Sequence, residues 1–153
     1  MTAPYCPAAP RRVDHRSLRS VSTCDTRGVS GDTDEVHLRV PARPEFGRLV
    51  RVGGAALGLR QGLSFTEIDE LRLAIDEAII LLLDGASDDD EIEAAFRFDG
   101  ERLELEIRSE GATALSDSAV GRFDEICSPL IDDYDIEPAQ AWIRMRKTPA
   151  PLD

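Results

Sequence analysis

The sequence predicts an α+β fold: a two-layer sandwich of a mixed, mainly antiparallel sheet with helices on one face. Three observations carry that expectation. Val36, Leu38 and Val40 alternate with polar neighbours, as in a half-buried strand. Two segments then repeat apolar residues at spacings of three and four, the signature of amphipathic helices. Two strand-like runs follow, joined by Asp99-Gly100, a pair suited to a tight hairpin turn.

In chain order, residues 1–34 read as a disordered tail. Pro4, Pro7 and Pro10 precede a stretch of Arg, Ser, Thr, Gly and Asp with few large apolar side chains. Such a segment buries too little surface to offset the entropy of ordering it. The domain is expected over residues 35–147, with a frayed C-terminus over 148–153 marked by Pro149 and Pro151. After the first strand, a helix is predicted from Pro44 to about Arg60, where a proline in the first turn costs no hydrogen bond. Its inward face is read as Phe46, Leu49, Val50, Gly53, Ala56 and Leu57.

The second helix opens on Ser64 and Glu67, a capping-box pair. Ile68, Leu71, Ile75, Ala78, Ile79 and Leu82 make one apolar stripe, while Leu73, Ile80, Leu81 and Leu83 lie off it. A helix apolar on two sides is expected between layers. Asp76 and Glu77 sit in its middle, where a charge is costly unless paired or solvated. The hairpin takes 92–98 and 102–107. A third helix is predicted over 117–131 with Val120, Phe123, Cys127, Leu130 and Ile131 inward, kinked or shortened by Pro129. Short strands near 134–136 and 142–146 complete the order.

Bulk composition narrows the function. The net charge of −12 opposes binding to nucleic acid or to an anionic membrane. Cys6, Cys24 and Cys127 match no zinc spacing and read as reduced thiols. His15 and His37 have no partner set for a metal, and the acidic runs 88–91 and 132–135 lack the spacing of a calcium loop. No segment is apolar enough to span a membrane and no signal-peptide core is visible, so the expected location is the cytoplasm.

The run Glu70–Ala78, ELRLAIDEA, with the strand, Pro-Glu-Phe helix and hairpin around it, resembles the signature helix of the RsbW-type anti-sigma-factor serine kinases. These belong to the histidine-kinase-like (GHKL) ATPases. The similarity covers about residues 35–147. It implies a histidine-kinase-like ATPase fold, ATP and magnesium as cofactors, and Glu77 as the catalytic carboxylate that orients or deprotonates a hydroxyl. It places Asp76, Ser109 and Gly111 at the nucleotide. It also implies a sigma factor or an anti-anti-sigma protein as partner, with a homodimer as a further possibility.

The sequence departs from that pattern at several points: of two expected glycines after the hairpin only Gly111 remains, and no Gly-rich phosphate lid is visible. The family's magnesium-binding Asn, four residues past the Glu, is Leu81 here, and an isobutyl group offers no oxygen to a hard cation. Ser109 stands in place of the adenine-bonding Asp. Three functions follow. The first is an anti-sigma-like transcription regulator that acts by binding, with a decayed ATP site. The second is an active serine/threonine kinase acting on an anti-anti-sigma factor. The third is a non-catalytic dimer partner of an active paralogue.

Overall fold

The computed structural model describes residues 34–151; the expected tail, with Cys6, His15 and Cys24, lies outside them. The elements are β1 (Glu35–Pro41), α1 (Pro44–Gln61), α2 (Phe65–Leu83), β2 (Glu91–Asp99), β3 (Arg102–Glu110), α3 (Asp117–Cys127), β4 (Asp133–Glu137) and β5 (Trp142–Lys147), with a 3-10 turn over Pro138–Gln140. The five strands form one sheet in the order β1-β2-β3-β5-β4. Every pairing among the described residues is antiparallel, so the sheet goes further than the mainly antiparallel one expected.

Strand alternation splits the sheet into an apolar and a charged face. Val40, Ile92, Ala94, Phe96, Leu103, Leu105, Ile107, Ile143 and Met145 are buried on the inner face, and α1 and α2 pack near them. The outer face is a charge lattice. Register aligns Glu35, Arg97, Glu104, Arg146 and Asp133 in one row across all five strands, with alternating sign. Arg97 reaches Glu35 at 2.8 Å and Arg146 reaches Glu104 at 2.8 Å. The first pair is open to solvent and the second partly buried; open pairs add little stability singly, but the row satisfies its charges across the sheet.

The inner face of α1 differs from the one its spacing predicts. Gly47, Val50, Gly54 and Gly58 are buried, whereas Leu49 is 54% exposed and Ala56 faces solvent. The reason is a close helix–helix approach. A Cβ at Gly54 would lie 2.3 Å from Ile75 Cδ1, and at Gly47 2.8 Å from Ile79 Cγ2. A side chain therefore has no room, and small residues occupy the seam. Leu49, Val52, Ala56 and Leu59 are left in an outward stripe.

The capping box on α2 forms as expected: Glu67 N–H donates to Ser64 Oγ at 3.3 Å, and Ser64 N–H donates to Glu67 Oε2 at 2.7 Å. α3 is shorter than predicted and ends at Cys127, with Ser128 and Pro129 past it. Its buried residues are Phe123 and Cys127; Ile131, beyond the helix, is also buried, while Val120 and Leu130 are only partly covered. Residues 148 and 150, expected in a frayed end, are tied to the domain. Thr148 N–H donates to Asp132 at 2.8 Å and Ala150 N–H donates to Glu67 at 2.7 Å. Lys147 is buried on the inner face, donating to Glu70 at 2.9 Å and to the Leu130 carbonyl at 2.7 Å.

Candidate functional site

The capping box and the apolar stripe set the rotation of α2, and this rotation aims Asp76 and Glu77 in different directions. Asp76 turns toward α1, where Arg51 Nη1 donates to its Oδ2 at 2.7 Å. Both side chains remain about one-third exposed. Glu77 turns toward α3. Its side chain is 13% exposed, and Arg122 Nη2 donates to its Oε2 at 2.5 Å. That bond raises the Arg122 guanidinium above its ordinary value. A mostly buried carboxylate requires such a partner.

Glu77, Ile80, Leu81, Asp84, Ala119, Arg122 and Phe123 line one small cleft between α2 and α3, with a cavity of about 60 Å³. Leu81 is 3% exposed and Phe123 1%, so the inner wall is apolar and packed. Ile80 lines the cleft's edge, while Leu73 is exposed and outside the lining. Cys127, one turn beyond Phe123, is fully buried. Burial pushes its thiol up to about 12, with the Glu77 charge adding to the shift.

The loop leading into α3 is tied to the end of α2. Thr113 N–H donates to the Gly85 carbonyl at 3.1 Å, and Ser116 Oγ donates to Asp84 Oδ2 at 2.9 Å. Ser116 also caps α3 through the Ala119 N–H, at 3.3 Å. A Cβ on Gly85 would lie 2.9 Å from the Thr113 carbonyl oxygen, so the two segments touch.

Ser109 and Gly111 lie elsewhere than the cleft lining. Ser109 is 6% exposed, and its Oγ has no hydrogen-bond partner among the described residues. Its N–H donates to the Ala141 carbonyl at 3.0 Å. Gly111 adopts φ 96°, a left-handed conformation that suits glycine. A Cβ there would also strike the Asp90 carboxylate, at 2.2 Å. Asp90 in turn accepts the Ser87 N–H at 2.7 Å.

The structure thus brings Glu77 and Leu81 together, and sets Asp76, Ser109 and Gly111 apart from them. It adds Arg122, Asp84 and Ser116, which sequence reasoning did not single out. Arg122 carries a faint signal: it is the single basic residue of its helix, beside the inward Phe123. Its target on α2 depends on tertiary packing and leaves no trace in spacing.

ATP and magnesium fit this cleft poorly. Small-molecule pockets run roughly 300–1,000 Å³, several times the cavity present. Leu81 presents carbon where a metal needs oxygen, and Glu77 is already bonded to a cation. No group of three or more His, Cys, Asp or Glu side chains is placed to hold a metal among the described residues.

No family model matches the chain. Among curated proteins it is similar to serine-protein kinase RsbW of Bacillus subtilis, 28% identical over 86 residues, covering 54% of each chain. RsbW of Listeria monocytogenes is 30% identical over 83 residues, covering 52% of this chain and 53% of the relative. The chain spans about half the length of the curated relatives it matches. Among solved structures, a crystal structure of the RsbU and RsbW domains of Rv1364c from Mycobacterium tuberculosis aligns with a TM-score of 0.55 and 16% identity. It covers 76% of this chain and 32% of that one, a likeness of fold. These relatives bear out the resemblance carried by residues 70–78 and the expected sandwich.

Proposed function

We propose that this RsbW-type chain is an anti-sigma-like transcription regulator that acts by binding a protein partner and leaves phosphoryl transfer unused. The observation that carries the reading is the cleft beside Glu77. Leu81 and Phe123 fill its wall, Arg122 occupies its carboxylate, and about 60 Å³ remains. Phosphoryl transfer depends on positioning a nucleotide and its metal against the nucleophile. A cleft that admits neither supplies no such positioning.

The partner class follows from the relatives and from the surface. A sigma factor or an anti-anti-sigma protein is the expected partner, in the cytoplasm. The acidic balance of −12 steers toward basic surfaces such as those with which sigma factors meet DNA. The outward stripe of α1, with Leu49, Val52 and Leu59 each more than half exposed, supplies apolar area for contact. No helix among the described residues is long and apolar enough to cross a membrane. Isothermal titration of the purified full chain against sigma factors and their antagonists from the same genome tests the reading. The expected result is binding at micromolar or tighter affinity without added ATP. No heat with any of them refutes it.

The kinase reading draws on the retained Glu77 and Gly111. Incubation with labelled ATP, magnesium and the candidate antagonist separates the two readings. Transfer of label that is lost in Glu77→Gln would replace the binding-only function.

A further inference from the structure

We propose that Arg122 is a built-in cation that latches α3 onto α2, and that the latch itself keeps nucleotide out of the cleft. The inference deepens the reading of a cleft silent in phosphoryl transfer, and its test is independent of partner binding.

The argument starts from what holds α3 in place. Of its eleven residues, two are buried, Phe123 and Cys127. Ala119, Val120 and Ile126 are only partly covered against the core, and three polar ties complete the attachment: Ser116 to Asp84, Tyr134 Oη to Asp124, and Arg122 to Glu77. An element with so small an apolar footing belongs to the low end of local stability, and each tie shifts its opening equilibrium. The Arg122–Glu77 tie is the one that crosses the cleft. Its carboxylate is mostly buried and its guanidinium half exposed, so the arginine brings the charge that a buried Glu77 needs.

The sign of the lining explains exclusion. Glu77 and Asp84 are acidic, and Arg122 is the single basic residue on the cleft wall. A polyphosphate entering here must draw Arg122 off Glu77. It then shares a small cavity with an uncompensated carboxylate, and like charges at such range repel strongly. The pair therefore closes the cleft both sterically and electrostatically.

Cys127 supplies the readout, because its buried thiol reacts only when α3 lifts. It is the free cysteine among the described residues. The assay uses the full chain with Cys6→Ser and Cys24→Ser, labelled by an aromatic disulfide reagent at pH 8. Arg122→Gln and Glu77→Gln are each expected to speed labelling about two- to fivefold, the range of a single ion pair. The double variant matches the single ones, and Arg122→Lys retains most of the protection. Labelling of the parent rises with salt, while the Gln variants are flat, a dependence that mere packing loss does not produce. Millimolar Mg·ATP leaves the parent rate unchanged.

Circular dichroism melting first confirms that each variant is folded at the assay temperature. Equal labelling in parent and Gln variants overturns the latch, and so does any change of the parent rate, faster or slower, with Mg·ATP. If the parent binds its partner without transferring phosphate yet all variants label alike, the latch falls while the proposed function stands.

Discussion

Leu81→Asn places the family's metal-binding residue type back at its position, and the structure predicts that it unfolds the cleft rather than restoring it. Leu81 is 3% exposed. Removing a buried leucine forfeits about 1.5–3 kcal/mol of transfer free energy. An amide left without a full set of partners costs about 1–3 kcal/mol more. The sum, about 2.5–6 kcal/mol, is a large part of the roughly 5–15 kcal/mol that stabilises a domain. Urea unfolding followed by circular dichroism measures it, with the slope unchanged and the midpoint lowered. Leu81→Ala is the reference, since it creates the cavity and adds no polar group; its own loss is about 2–5 kcal/mol. The asparagine variant is expected to be no more stable than the alanine one, and Mg·ATP should not raise its melting temperature. An asparagine variant clearly more stable than the alanine one, or one stabilised by Mg·ATP, would mean that the cleft offers polar partners. The account of an apolar wall would then be wrong.

Three further outcomes follow from local geometry. Gly54→Ala gains about 1 kcal/mol of helix propensity but forces a Cβ to 2.3 Å from the fully buried Ile75 Cδ1. Overpacking of about 1–3 kcal/mol should prevail, lowering the melting temperature by a few degrees, and Gly54→Ala/Ile75→Val should recover it; a more stable single variant refutes the tight seam. Ser109→Ala removes a buried hydroxyl that lacks a partner and should leave stability unchanged or raise it by up to about 1 kcal/mol in the same urea titration, whereas a loss above that would reveal a missed bond. Ser64→Ala removes the cap of α2 at a cost of about 1 kcal/mol. The Ser64 hydroxyl bond is also the main cause that holds the Glu67 carboxyl below its ordinary value, with the Ser64 and Ala150 amides adding to it. A lowered folded value means that this stability is present above the ordinary range near 4.5 and is lost as pH falls through the folded value. The variant's deficit should therefore shrink in melts run from pH 6 down to pH 3, and a deficit that is constant with pH counts against the linkage.

Much of this fold is written in local patterns. Alternation in Val36–Val40, the Asp99-Gly100 turn and the Ser64–Glu67 box each depend on residues near one another, and each formed where expected. The inner face of α1 was misread because periodicity ranks residues by hydrophobicity. The seam instead selects for absence of volume, so Gly47, Gly54 and Gly58 displaced Leu49 and Ala56. Within the site, Glu77 and the apolar Leu81 were legible from the motif, as was the need of Asp76 for a partner or solvent, although that Arg51 supplies it was not. Arg122 is 45 residues from Glu77. Only the packing of α3 onto α2 joins them, and nothing in the spacing of either helix encodes that join.

The glycine seam has a consequence for the opposite side of α1. A helix resting on long side chains can adjust its bearing as their rotamers change. One resting backbone-first on Ile75, Ile79 and Leu63 is keyed like a shaft in its slot. Its azimuth is therefore fixed, and with it the bearing of Leu49, Val52, Ala56 and Leu59. Whatever meets that ridge meets an edge whose heading is set from inside the protein, by residues it never touches.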